Sequence, residues 1–209
     1  MKPRLIGLTG TCCAGKNHVA GLLEARGIPV LDVDRLGHAA IEREKPAILA
    51  RFGADILGQD GAIDRRILGR KVFAAPEALA ALEKLVHPGA NTLTEEWIAG
   101  QTAGACAINA ALLHKSCAFD GLDFIIVVKA PLIIRLLRAR ARDRLPWLQL
   151  VRRFGSQRDF GAQYLRKNAD IYTVFNSGGF CAPPAEAPLE QQVDRILALK
   201  GIERAPSLG

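Results

Sequence analysis

The chain has 209 residues, 49% of them hydrophobic, which suffices for one full core with room for inserted subdomains. Its longest apolar stretches are cut by Lys129 or Arg135 far short of a membrane span, and residues 1–16 lack the basic and apolar regions of a secretory leader, so the sequence predicts a cytoplasmic protein with no membrane partner. The net charge is +7, yet ten basic and only two acidic residues fall between Arg135 and Lys167, so that segment carries the whole excess at +8 and predicts an anionic partner.

Residues 5–9 read as a short buried strand, being apolar and running straight into a glycine-bearing turn. A helix follows with Val19, Leu22 and Leu23 on one face and Gly27 as its stop, and residues 28–33 return as a second strand with Pro29 at its start. From Asp34 to about Trp97 the tendency is helical, with turn signals at Gly53, at Asp60 and Gly61, at Pro76 and at His87 with Pro88, the pattern of an inserted helical subdomain. Residues 105–113 fit a third strand, although their alanines suit a helix almost as well, and residues 124–129 are a clear fourth. Pro131 opens a helix on which Leu132, Ile133, Leu136 and Leu137 form the expected buried stripe, while Arg135, Arg138 and Arg142 line another face. Pro146 opens a further helix, and strand character returns at residues 171–175. After Pro183 and Pro184 a last helix places Leu189, Val193, Ile196 and Leu197 together, and residues 205–209 read as a frayed tail. Such alternation predicts an α/β fold, a parallel sheet with helices on both faces.

Residues 10–16, Gly-Thr-Cys-Cys-Ala-Gly-Lys, fit the first seven positions of the phosphate-loop pattern G-x-x-x-x-G-K-[S/T]. Small side chains are needed there because successive backbone N–H groups must turn inward around a phosphate, while Lys16 reaches the β and γ oxygens and the following helix adds its positive end. Gly10, Cys13, Ala14, Gly15, Lys16, Asn17 and His18 are the expected ATP contacts. Asn17 stands where a magnesium-ligating hydroxyl is usual; its amide oxygen is a hard neutral donor and makes Asn17 the candidate metal ligand, to which imidazole at His18 is poorly suited. Asp32 and Asp34 flank Val33 at the end of the second strand, where alternation would aim both carboxylates to one side. Spacing supports equally a base that deprotonates an acceptor hydroxyl and, for Asp34, a cap on a helix starting near Arg35. The five cysteines include no C-x-x-C pair, and the four histidines are scattered, which argues against a histidine-based metal site.

From Leu5 to about Gly178 the chain resembles the dephospho-coenzyme A kinases. The matching words run in family order: Ile6-Gly7-Leu8-Thr9-Gly10, Val30-Leu31-Asp32-Val33-Asp34, Phe52-Gly53, Asp60-Gly61, Ile63-Asp64-Arg65-Arg66, Leu68-Gly69, Val72-Phe73 and His87-Pro88. Then come Leu112-Leu113, Ile126-Val127-Val128, Arg142-Asp143, Arg153 with Gln157, Ala169-Asp170 and Asn176-Ser177-Gly178. The resemblance implies a P-loop core at residues 1–34, 100–134 and 168–209, a helical coenzyme-binding insertion at 35–99 and an Arg-rich lid at 135–167. It implies ATP and Mg2+ as cofactors and transfer of the γ-phosphate to the 3′-hydroxyl of dephospho-coenzyme A. Carried over by position, Asp34 matches the base, Lys16 the loop lysine and Arg142 a lid arginine, with Asp34 and His87 on the acceptor side. Asn17 departs from the pattern, as do Asn109 in place of an aspartate, Ala111 in place of a proline and Lys115 in place of an acid, and the step from Ala169-Asp170 to Asn176 is one residue longer. Two other readings compete: a P-loop kinase for nucleotides or nucleosides, and a nucleic-acid-binding module on the basic segment. The second is disfavoured by how few rings that segment offers for stacking, namely Trp147, Phe154, Phe160 and Tyr164, so no stable nucleic-acid partner is expected.

Overall fold

The computed structural model describes residues 3–143, 154, 169–178 and 187–202. The chain divides into two compact units, Met1–Leu31 with Gln101–Gly209, and Asp32–Gly100. Among the described residues there are seven α-helices, numbered in chain order, and none is long and apolar enough to cross a membrane.

The first unit is built on a sheet of β1 (Arg4–Gly10), β2 (Val30–Asp32), β3 (Ala105–Asn109), β4 (Phe124–Lys129) and β5 (Asp170–Phe175), in the order β2-β3-β1-β4-β5. The central strand β1 pairs in parallel with β3, Leu8 opposite Asn109, and with β4, Gly10 opposite Val128, while β5 lies parallel on the far side of β4. Strands β3 and β4 are almost continuously buried, as expected where both faces of a parallel sheet are covered. Ile6 and Leu8, Ala105 and Ala107, Phe124, Ile126 and Val128, and Val174 share one core with helix α1 (Lys16–Glu24), through Val19, Ala20 and Leu23. Helix α7 (Leu189–Leu199) joins the same core through Val193, Ile196 and Leu197. On the opposite face Gly7 leaves room for the ends of two leucine side chains, since a Cβ there would stand 2.7 Å from Leu113 and 2.8 Å from Leu122 and make both shift.

Helix α1 ends as its sequence suggests. The Gly27 N–H donates to Glu24 O and the Ile28 N–H to Leu23 O, with Gly27 at a left-handed φ of 76°, a paired closure of the last turn that favours glycine. Just before it, Arg26 is only 5% exposed and is held by Asp194 of α7 through two guanidinium contacts, one of 2.9 Å, and by Leu22 O at 2.7 Å. The Asp194 hydrogen bond raises the Arg26 pKa against the opposing effect of burial. Helix α7 also reaches β5: Gln192 accepts from the Phe175 N–H at 2.9 Å and donates to Phe175 O at 3.2 Å, so one side chain satisfies both backbone groups of an edge residue.

The second unit packs helices α2 (Val33–Arg43), α3 (Lys45–Phe52), α4 (Arg65–Phe73) and α5 (Pro76–Ala99) around Ala40, Ile48, Ile56, Ile63, Leu68, Val72 and Val86. Asp64 caps α4 through the Arg66 and Ile67 N–H groups at 2.8 and 3.3 Å.

Four expectations are corrected. The second strand stops at Asp32, whose carboxylate accepts from the Arg35 N–H at 3.3 Å and starts α2 at Val33. Asp34 therefore sits in the first helical turn, strand alternation does not reach it, and the cap is Asp32. The third strand ends at Asn109, where the Ala110 N–H turns to Leu8 O and a 3₁₀ turn, Leu113–Lys115, begins. The turn signal at His87 and Pro88 lies inside α5, which continues because Leu82, Leu85, Val86 and Ala90 on either side of Pro88 are packed into the second core. That packing offsets the hydrogen bond a mid-helix proline loses. In helix α6 (Leu132–Asp143) most of the expected stripe is outward, with Leu132, Ile133 and Leu137 each more than half exposed, while Leu136 packs with the buried Ala139. The helix expected from Pro146, the basic residues beyond Arg142 and the tail at 205–209 lie outside the described residues.

Removing one partner of the Arg26–Asp194 pair leaves a buried guanidinium short of an acceptor. Asp194→Ala should lower the unfolding free energy by about 2 kcal/mol, read from the urea midpoint at neutral pH. An unchanged midpoint would show that the Arg26–Asp194 pair adds nothing to the docking of α7.

Candidate phosphate-binding site

The loop leaves the sheet at the end of β1. A Cβ on Gly10 would come within 2.5 Å of Val128 O, so only glycine lets the chain turn away from β4 at this point. The Ala14 N–H then donates to Thr11 O at 3.0 Å, and Cys13 adopts φ 58°, the only left-handed non-glycine residue among those described. Gly15, at φ 99°, is the N-cap of α1, and its carbonyl accepts from the His18 and Val19 N–H groups. Its missing side chain matters, because a Cβ would stand 2.1 Å from Asn176 Nδ2.

The loop carbonyls are gripped from outside. Arg135 Nε donates to Cys12 O at 2.9 Å, and Arg138 Nη1 donates to Ala14 O at 3.2 Å. Asn176, buried just past β5, donates from Nδ2 to Ala14 O at 3.0 Å and accepts from Arg138 Nη2 at 3.0 Å. Its own N–H is fixed on Lys129 O. Across a trans peptide the next N–H points opposite to the carbonyl, so these anchors turn the Cys13 and Gly15 N–H groups away from α6. The Arg135 guanidinium lies over the Phe154 ring at 4.7 Å; burial pushes its pKa down, while Cys12 and Cys13 beside it act in the other direction. This is why the apolar stripe of α6 faces out, since Arg135 and Arg138 occupy the side that meets the loop.

Lys16 is half-buried at the first position of α1, and Asn17 and His18 follow on exposed positions. Asn17 Oδ1 accepts from Asn109 Nδ2 at 3.2 Å. Asn109 closes β3, is 3% exposed, and its Oδ1 is buried with no hydrogen-bond partner among the described residues. The seven expected ATP positions, 10 and 13–18, thus run from the end of β1 through the loop into the first turn of α1, where Asn109 meets Asn17. Arg142 lies exposed on the last turn of α6. In the second unit Asp34 occupies the first turn of α2 and His87 the middle of α5, both exposed.

Sequence reasoning did not single out Arg138 and Asn176 as site residues. The signal was present in the three-residue step from Arg135 to Arg138 and in the Asn-Ser-Gly after the last strand, but neither reveals that its partners are backbone carbonyls.

The dephospho-CoA kinase family model matches residues 4–179. The chain belongs to the dephospho-CoA kinase family. Among curated members, it is 35% identical to the dephospho-CoA kinase of Treponema pallidum over 95% of this chain and 96% of that one. It is 37% identical to that of Anaeromyxobacter dehalogenans over 93% and 91%. A solved Thermus thermophilus structure is 33% identical, with TM-score 0.75 over 97% of each chain. At the level of fold alone, a Campylobacter jejuni dephospho-CoA kinase (21%, TM-score 0.61, covering 97% and 99%) and a Bacteroides thetaiotaomicron shikimate kinase (14%, TM-score 0.52, covering 95% and 98%) share the architecture. The family is one of ATP-using kinases, and the expected P-loop α/β class holds.

If Arg138 positions the loop, Arg138→Met should raise the Kd for a non-hydrolysable ATP analogue about tenfold, or ~1.4 kcal/mol, by calorimetry. Arg138→Lys should fail to rescue it, because one ammonium cannot span the Ala14 carbonyl and Asn176 as the guanidinium fork does. Wild-type affinity in both variants would mean the loop keeps its shape unaided.

Proposed function

We propose that this chain transfers the γ-phosphate of ATP to the 3′-hydroxyl of dephospho-coenzyme A in the cytosol. The observation that carries this reading is a carbonyl-anchored phosphate loop at residues 10–16, in a chain that matches dephospho-CoA kinases over nearly its whole length. In phosphoryl transfer the protein's part is chiefly positioning and charge stabilisation. The Cys13 and Gly15 N–H groups and the positive end of α1 receive the β-phosphate, and Lys16 follows the charge as it moves. Asp34 accepts the proton of the acceptor hydroxyl, His87 contributes to acceptor binding, and Arg142 meets the phosphates from the last turn of α6. The insertion at 35–99 takes the coenzyme.

The residues present also fit magnesium, which would supply positive charge against the phosphates. Asn17 Oδ1 is a hard neutral donor, and the buried, unspent Oδ1 of Asn109 beside it is an acceptor suited to a metal-bound water, a ligand magnesium keeps readily. Asn17 would hold the ion directly or through that water. Arg135 and Arg138 donate to the loop's own carbonyls, which speaks against a basic face given over to nucleic acid.

A turnover screen of dephospho-coenzyme A against nucleoside monophosphates tests the acceptor. Phosphorylation of the coenzyme alone is expected, and preference for a monophosphate would replace this reading by that of a nucleotide kinase. Asp34→Asn should lower kcat by 100-fold or more with ATP affinity unchanged, because the amide keeps the shape but cannot take the proton. A collapse of ATP affinity at constant kcat would make Asp34 a nucleotide contact. Initial rates against free magnesium at saturating ATP test the neutral ligand: Asn17→Ser should match or exceed wild type, and Asn17→Leu should need severalfold more magnesium. A wild type without magnesium-dependent turnover, restored by Asn17→Ser, would mark the natural chain as a catalytically impaired relative.

A further inference from the structure

Cys12 and Cys13 are consecutive residues of the phosphate loop, and the chemistry above uses neither sulfur. Their Sγ atoms lie 3.7 Å apart, both half-buried, in contact with a small cluster of Leu136, Ala139 and Phe154. The Arg135 guanidinium is near enough to attract negative charge on either one.

At this distance one thiol hydrogen-bonds to the other, and the same spacing bears on two further uses of the pair. A disulfide needs sulfurs about 2.05 Å apart and normally joins Cα atoms about 4.4–6.8 Å apart. Consecutive Cα atoms across a trans peptide are only about 3.8 Å apart, too close for an unstrained bridge. Two thiolates on one tetrahedral cation, with metal–sulfur bonds of about 2.3 Å, stand about 3.8 Å apart. The two sulfurs already have that separation.

We propose that Cys12 and Cys13 form a two-thiolate chelate for a soft d10 cation of the Zn2+ or Cd2+ type. On binding, two S–H bonds are exchanged for two metal–sulfur bonds and two protons pass to the solvent. Among the described residues no group of three or more His, Cys, Asp or Glu includes the pair. The pair lies in the loop proposed to receive phosphate, so the ion and ATP bind antagonistically.

Cd2+ is the probe, titrated into the full-length, nucleotide-free protein and followed by thiolate-to-cadmium charge-transfer absorbance, a readout independent of kinase turnover. One equivalent should bind, with affinity reduced at least tenfold in Cys12→Ser and in Cys13→Ser but not in Cys117→Ser or Cys181→Ser. Cys106 is buried, its thiol pushed up to about 11 by desolvation, and should not contribute. Matching thermal midpoints of the serine variants exclude unfolding as the cause. Wild-type Cd2+ affinity in both loop variants would overturn the site. With free Cd2+ held by a metal buffer, saturation should weaken ATP binding severalfold, and unchanged ATP affinity would overturn the antagonism.

Discussion

A phosphate loop works only while its carbonyl oxygens are kept away from the phosphate, and in this chain that task falls to Arg135, Arg138 and Asn176. Each peptide whose oxygen is held outward presents its hydrogen inward, so the concave side owes its polarity to side chains behind it. Strand order makes the arrangement possible. With β1 central, β4 beside it and β5 beyond β4, the helix after β4 and the residue after β5 both arrive next to the loop that follows β1. Gly15 and Gly178 then leave space for the two holders; a Cβ on Gly178 would lie 2.9 Å from Arg138 Nη2.

Much of this was legible in the sequence because local rules and tertiary context agreed. The fourth strand, the apolar side of the last helix and the stop at Gly27 appear where pattern and turn chemistry put them. The failures share a cause, a long-range partner that overrides a local preference. Pro88 reads as a turn until the burial of residues on either side is known, and the leucines of α6 read as core until Arg135 and Arg138 are seen to have carbonyls to bind. Asp32 and Asp34 were misjudged differently, because a strand and a helix meet between them and only the cap contact tells which residue marks the border.

The meeting of Asn17 and Asn109 illustrates how two departures from a family pattern can be one event. Each alone replaces an ionisable or hydroxyl group by an amide, but together they make a neutral pair in which one amide donates to the other. Burying a lone carboxylate at Asn109 would require a nearby cation, whereas the amide tolerates the same place without one. The arrangement therefore lowers the negative charge of the site at rest.

Gln192 binds both backbone groups of Phe175, the residue immediately before Asn176, and it lies thirteen positions beyond the end of the family match. Asn176 in turn donates to the Ala14 carbonyl, so the turn after β1 and the helix that carries Gln192 are coupled through two adjacent residues. A change at Gln192 is thereby transmitted to a loop that its side chain never touches.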